Sequence, residues 1–314
     1  MASRGRGAQQ AGGPGVKNLA ELLRAEGFSG PVHSEEPMSR YCSLKVGGKA
    51  DLVAIPETLQ DLRTLFDAFE GRDISWMILG SGTNVFFPES GFGGCVIRLG
   101  RGFADVEEIN ETTMEAGAAA GTAGIVAKTA RMGLTGFEFA AGIPGTIGGA
   151  VRMNAGAGGG EMAGPVMAIQ VVAEGITSWI ERKDLDFRYR RLALPADAAI
   201  TRVRIGFSLD SPEAVDRRIG EMLARKKAGQ PLGLPSAGCW FVNPEGDNAG
   251  RLIEAAGLKG LTVGGAQVSD VHANFLVNIG GATAGDFEAL AGMVKAAVLE
   301  KFEVGLKEEV KIVY

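Results

Sequence analysis

The residues best suited to chemistry lie in two glycine-rich segments. GSGTN at residues 80–84 follows an apolar run at residues 74–79. Backbone N–H groups at Gly80, Gly82 and Asn84, with the Ser81 and Thr83 hydroxyls, can wrap a phosphate. The segment fits neither the GxxxxGK pattern followed by Ser or Thr nor GxGxxG, so the common nucleotide-loop readings fail. A tight strand–turn–strand connection uses the same residue types. The second segment, residues 136–161, reads GFEFAAGIPGTIGGAVRMNAGAGGGE. Nine of the 25 residues 136–160 are glycine, and Arg152 is the only charge between Phe139 and Gly160. Glycine costs roughly 1 kcal/mol per helix position relative to alanine, but it lets backbone approach a ligand closely. The segment is either a packed loop in a large core or a cradle for a pyrophosphate or flavin. A third cluster sets Arg188, Arg190 and Arg191 around Tyr189; for a basic turn the ordinary reading is solvated surface.

The elements that must position these groups follow from periodicity and punctuation. A short helix is predicted over residues 16–26, with Leu19, Leu22 and Leu23 on one side. A strand at residues 52–55 ends at Pro56, beside a Gly47-Gly48 turn. Thr58, with Asp61 three residues on, has the capping-box spacing and opens a helix striped by Leu59, Leu62, Leu65, Phe66 and Phe69. The buried-looking run 74–79 delivers GSGTN. Strands are predicted near residues 95–99, 105–109 and 113–116, then a helix over Thr122–Met132 stopped by Gly133.

After the glycine segment, Val166–Ala173 and residues 178–181 read as a hairpin, and residues 199–209 as one strand. Ser211-Pro212-Glu213 is a strong helix start, running to about Lys227 with Arg225 and Lys226 in its last turn. The main domain boundary is placed just before this helix. Beyond it come a short strand within residues 234–244, a short helix at 249–256, a strand at 274–278, an amphipathic helix at 283–302 and a closing strand at 306–314.

The bulk numbers exclude several classes. With 314 residues the chain is expected to hold two or three units. A net charge of −5 argues against a dedicated nucleic-acid binder. Cys42, Cys95 and Cys239 are odd in number and far apart, and the histidines are only His33 and His272, so neither a disulfide framework nor a metal site is expected. No apolar run of ~18 residues offers a membrane span. Residues 1–16 have no apolar stretch after their arginines and are expected to form a disordered tail rather than a secretory signal. A reducing cytoplasm fits.

Several separated motifs then agree in order: VGGKAD at 46–51, GSGTN at 80–84, GFEFA at 136–140, GIPGTIGGA at 142–150, MNAG at 153–156, Tyr189-Arg190, AGCWFVNP at 237–244, AGLKG at 256–260 and HANFLVN at 272–278. Together they resemble the UDP-N-acetylenolpyruvoylglucosamine reductase (MurB) family over residues 18–314, in the shorter, type II form. The resemblance implies an α+β fold. A two-part FAD-binding domain of the vanillyl-alcohol-oxidase/PCMH-like type would occupy residues 17–208, in parts 17–99 and 100–208. An α+β substrate domain would occupy residues 209–314.

The resemblance implies FAD held by Gly47, Gly80, Ser81, Gly82, Thr83, Asn84, Gly142, Ile143, Pro144, Gly145, Thr146, Gly148, Gly149, Ala150, Asn154 and Gly156. Neither glycine-rich segment contains His or Cys, so the FAD is expected to be non-covalent. The implied reaction takes a hydride from NADPH through FAD to the vinyl carbon of UDP-N-acetylglucosamine enolpyruvate. Arg190 would brace the substrate carboxylate and Glu309 would act on its other side. Cys239 stands where the family usually has the serine that protonates the carbanion, a departure from the pattern. A thiol with an ordinary pKa of about 8.5 is competent for that step; the alternative is a small buried residue beside Trp240.

Tyr189, Arg225, Lys226, Gln230, Asn243, Lys259 and His272 are candidates for the UDP-sugar. A basic last turn also complements a helix dipole, His272 also suits a satisfied core position, and Asn243 before Pro244 also suits a turn. A monomer is expected, with no nucleic-acid or membrane partner. Two competing readings are another flavin oxidoreductase on the same fold and a catalytically silent nucleotide-binding protein.

Overall fold

The computed structural model describes Val16 and residues 18–173, 175–195 and 197–314; the tail expected over residues 1–16 lies outside them apart from Val16. The described helices, in chain order, are α1 (Leu19–Ala25), α2 (Leu59–Phe69), α3 (Thr122–Met132), α4 (Ile147–Arg152), α5 (Pro212–Gly229), α6 (Ala249–Ala255) and α7 (Ala284–Phe302).

The first unit is a four-stranded sheet in the order Val32–Pro37, Lys49–Ala54, Phe92–Ile97, Trp76–Ile78. Its first pair is antiparallel and the others are parallel. The capping box forms as predicted: Asp61 N donates to Thr58 Oγ1 and Thr58 N to Asp61 Oδ2, each at 3.0 Å. Such a cap contributes about 1 kcal/mol. The strand expected over residues 74–79 forms only at Trp76–Ile78 and is half-buried, because one side of it borders a cavity.

The second unit is an antiparallel sheet in the order Ile176–Glu181, Val166–Ala173, Ala199–Gly206, Thr113–Gly117, Val106–Asn110. The single strand expected over residues 199–209 is two. It breaks at Phe207, and Ser208–Leu209 pairs instead with Leu134–Thr135.

Helix α5, expected to open the C-terminal unit, packs on this second unit. Val215 and Ile219 are buried in its core with Ile125 and Phe137 of α3 and the loop that follows it. Arg218 donates to Glu138 Oε1 at 2.8 Å and to Asp210 Oδ2 at 2.7 Å. The helix start itself is as predicted, with Ser211 Oγ accepting from Ala214 N at 3.2 Å.

The third unit is a sheet in the order Ser236–Cys239, Phe275–Asn278, Ala266–Val268, Thr262–Val263, covered by α6 and α7. Phe287, Leu290, Ala291, Val294 and Val298 form the predicted buried face of α7. Trp240 stacks on Phe287 with centroids 5.6 Å apart and the planes 11° from parallel. This core also takes in Cys42, Leu44, Val46 and Phe86 from the first unit. The chain end returns there too: Lys311–Ile312 pairs in parallel with Val85–Phe86, directly after GSGTN. That return brings the terminal acids to the glycine turn.

Candidate active site

Where the three units meet lies a cavity of about 1500 Å³, larger than the ~300–1,000 Å³ usual for one small ligand. GSGTN forms one wall and residues 141–146 face it. The two segments nearly touch. A Cβ at Gly80 would lie 2.9 Å from Thr146 Oγ1, and one at Gly145 would lie 3.2 Å from Thr83 Oγ1. Gly142 and Gly145 have φ of +77° and +112°, which favour glycine. Thr146 begins α4, its hydroxyl accepting from Gly149 N at 3.4 Å. The contact closes one edge of a backbone-lined slot, and the adjoining cavity leaves room for a flat ring or a diphosphate to approach main-chain groups closely.

The slot predicts a sensitive substitution. Gly80→Ala places a methyl against Thr146 and displaces the α4 cap, so retention after gel filtration of the FAD that the resemblance implies is expected to fall tenfold or more. The cap loss alone costs about 1 kcal/mol in a denaturant melt. A fully loaded Gly80→Ala protein would contradict this account of the slot.

Three reacting candidates converge at the other end. Arg190 occupies the second position of the two-residue turn between strands Asp186–Arg188 and Arg191–Ala193. Its φ is +55°, in a region usually given to Gly or Asn. That conformation aims its guanidinium into the cavity, where Nε donates to Glu309 Oε1 at 2.9 Å and Nη1 to Gly156 O at 3.4 Å. Glu309 is anchored by its own N–H to Trp240 O at 2.8 Å, and its carbonyl accepts from Asn84 Nδ2 at 3.4 Å. Burial pushes the Glu309 carboxyl above its ordinary pKa against the pull of Arg190. Cys239 faces the same cavity. Burial, and then the charge of Glu309, push its thiol up to about 11, so it is protonated at neutral pH.

The remaining predicted residues divide. Ser81, Gly82, Thr83, Ile143, Pro144, Gly148, Gly149, Ala150 and Gly156 border the cavity, as do Arg225, Lys226, Gln230 and His272. Lys226 Nζ donates to Gly142 O, bridging α5 to the glycine segment. His272 meets both readings: it borders the cavity, yet Nδ1 accepts from Asn274 N at 3.2 Å and the ring stands edge-on to Phe275 at 5.0 Å.

Five predicted residues are not at the cavity. Gly47, with φ of +126°, packs its backbone against Phe87, where a Cβ would lie 2.8 Å from that side chain's own Cβ. Asn154 is buried; Oδ1 accepts from Ala163 N and Nδ2 donates to Arg188 O at 3.1 Å, so its side chain braces the arginine turn. Tyr189 is 62% exposed beneath the Arg190 guanidinium, 5.3 Å from its ring centroid. Asn243 Oδ1 accepts from Ala249 N at the start of α6. Lys259 pairs with Glu254 at 2.8 Å. Asn154, Asn243 and Lys259 are thus engaged locally by hydrogen bonds or an ion pair, while Gly47 and Tyr189 make packing contacts outside the cavity.

The cavity also exposes residues the motifs did not single out as ligands: Arg98, Arg152, Arg191 and Lys311. Arg152 had a signal, as the one charge in an otherwise uncharged glycine-rich run. Lys311, in a two-residue strand, had none.

Comparison with known proteins follows the same layout. The chain is 43% identical over 290 residues to the UDP-N-acetylenolpyruvoylglucosamine reductase of Heliobacterium modesticaldum, covering 91% of this chain and 92% of that one. This chain belongs to the UDP-N-acetylenolpyruvoylglucosamine reductase family. The enzyme of that name from Pelobacter propionicus is 44% identical over 284 residues, 90% of this chain and 96% of its own. Residues 50–177 match a family described as FAD binding domain, and residues 230–313 match UDP-N-acetylenolpyruvoylglucosamine reductase, C-terminal domain. The crystal structure of the MurB reductase from Thermus caldophilus superposes with a TM-score of 0.79 at 35% identity, over 91% of this chain and 99% of that one. The second of these family matches begins at Gln230, directly after α5.

Proposed function

We infer that this chain reduces UDP-N-acetylglucosamine enolpyruvate to UDP-N-acetylmuramate, using FAD and NADPH, in the synthesis of peptidoglycan precursors. The observation that carries the residue roles is the convergence of the Arg190–Glu309 pair and Cys239 on one end of a backbone-walled slot. Bound FAD supplies hydride transfer from NADPH to the vinyl carbon. GSGTN and residues 142–150 would hold it, their N–H groups and the nearby Arg152, whose Nη1 has no hydrogen-bond partner among the described residues, suiting a group that carries negative charge.

Arg190 braces the substrate carboxylate and the negative charge that develops on it. Glu309 holds that guanidinium in place. Cys239 delivers the proton to the carbon beside the carboxylate, because burial keeps its proton on the sulfur at neutral pH. Arg225, Lys226 and Gln230 are suited to the diphosphate-sugar, and His272 to a neutral contact there, since burial lowers its pKa. The FAD-binding part comprises residues 17–99 and 100–229 and the substrate part residues 230–314, with α5 belonging to the former because its apolar face is buried there. Among the described residues no helix is long and apolar enough to cross a membrane; cytoplasmic location, a monomeric state and independence of nucleic acid complete the proposal.

The test is NADPH oxidation by the purified protein with and without the enolpyruvyl nucleotide. Yellow protein and substrate-dependent turnover are expected. Yellow protein that oxidises NADPH only with oxygen as acceptor would point to a different flavin oxidoreductase, and colourless protein that cannot be reconstituted to a silent nucleotide binder.

A further inference from the structure

Two cations bordering the cavity, Arg152 and Lys311, have no counter-charge among the described residues. Arg152 closes α4, and its Nη1 is shut off from solvent with no hydrogen-bond partner among the described residues. Lys311 borders the same cavity, with no side-chain partner found among the described residues. Among the described residues the only carboxylate bordering the cavity, Glu309, is engaged by Arg190. Burial and then Arg191 push the Arg152 pKa down, and burial and then Arg152 do the same to Lys311, so the charges are within electrostatic reach of one another. A desolvated guanidinium without a partner is costly, and like charges add to that cost. Such a site is completed by an anion that arrives with a ligand.

The position of the pair indicates which anion. Helix α4 has only six residues. At its start, Thr146 faces Gly80 in the slot. At its end, Met153 Sδ accepts from Asn84 Nδ2 at 3.9 Å. Asn84 O in turn accepts from Lys311 N at 3.1 Å, and Asn84 Nδ2 also reaches Glu309 O. The elements that carry Arg152 and Lys311 thus meet at Asn84, the last residue of GSGTN, whose side chain also reaches the backbone of Glu309, the partner of Arg190.

We propose that Arg152 and Lys311 form a cation pair that stabilises the negative charge of the reduced isoalloxazine ring of FAD. A hydride carries two electrons and one proton, so its addition to a neutral ring leaves one negative charge unless a further proton is taken up. A fixed positive field beside the ring holds that charge and raises the flavin potential. The inference rests on reading the cavity as the FAD site. The substrate carboxylate offers similar chemistry, and the experiment separates the two.

Arg152→Met, Lys311→Met and the conservative Arg152→Lys are prepared with FAD bound and titrated without substrate. Sulfite affinity and midpoint potential are measured; sulfite adds to the oxidised ring and leaves it negatively charged, so it reports the same field. Each Met variant is expected to bind sulfite about tenfold more weakly and to have a potential about 30 mV lower, the two-electron equivalent of tenfold. Arg152→Lys is expected to recover most of both. Parent-like sulfite affinity and potential in the two Met variants overturn the inference. So does weakened substrate binding, followed by flavin absorbance, with potential unchanged: the anion would then be the substrate carboxylate. The Lys311 side chain keeps solvent access at the cavity border and is only partly desolvated, so Lys311→Met reports even where Arg152→Met fails to fold. Colourless parent protein would instead remove the FAD reading on which the inference stands.

Discussion

Arg190→Met is expected to lower substrate-dependent turnover about 10²–10³-fold, the size of effect seen when one preorganised donor to a developing oxyanion is removed. Reduction of FAD by NADPH is expected to continue at the parent rate, because the slot at Gly80 and Gly145 does not involve Arg190. Stopped-flow measurement of the two half-reactions separates them; an equal loss in both would show that Arg190 supports the fold rather than the chemistry. A glycine at this position sharpens the test. With φ at +55°, arginine is strained where glycine is not, so Arg190→Gly is expected to keep or raise the melting temperature at pH 5 while losing activity.

That gain shrinks as the pH rises, and the sign follows from Glu309. Its carboxyl is already raised above its ordinary 4.5 by burial, with Arg190 opposing. Without Arg190 the folded state holds the proton at pH values where the unfolded chain releases it. Stability is then present at low pH and falls as pH climbs through the folded pKa above 4.5. A melting temperature of Arg190→Gly that tracks the parent at every pH would show that Glu309 does not depend on Arg190.

Cys239→Ala is expected to block the second half-reaction, by about 10²–10⁴-fold, the usual contribution of a general acid. Flavin reduction by NADPH is expected to stay intact, and Cys239→Ser to keep substantial activity. The pH profile carries an independent check. With the thiol pushed up to about 11, the proton donor remains loaded through neutral pH and well beyond, so reoxidation of the reduced enzyme by substrate is expected to be flat from pH 6 to 9. Near-normal turnover of the alanine variant would remove Cys239 from the chemistry. A basic limb near pH 8 in the parent, absent from the serine variant, would keep Cys239 but contradict its burial-raised pKa.

The sequence by itself determined the elements whose signals are local. The Thr58 capping box, the Ser211-Pro212 helix start, the Gly133 stop and the apolar face of α7 all depend on residues within a few positions of one another. The family and its glycine slot were legible for a related reason, since backbone-lined sites constrain residue type at fixed spacing. Only the tertiary structure shows which sheet α5 packs on, because its apolar residues fit either neighbour until Val215 and Ile219 are seen in the second unit's core. It alone removed Gly47, Asn154, Tyr189, Asn243 and Lys259 from the cavity, each engaged by a partner or packing contact that its motif does not specify. It alone brought Arg190 to Glu309, 119 residues apart, and set Arg152 and Lys311 in one cavity. Charge compensation depends on distances across the fold, and sequence spacing fixes such distances only within a helix turn or a strand pair.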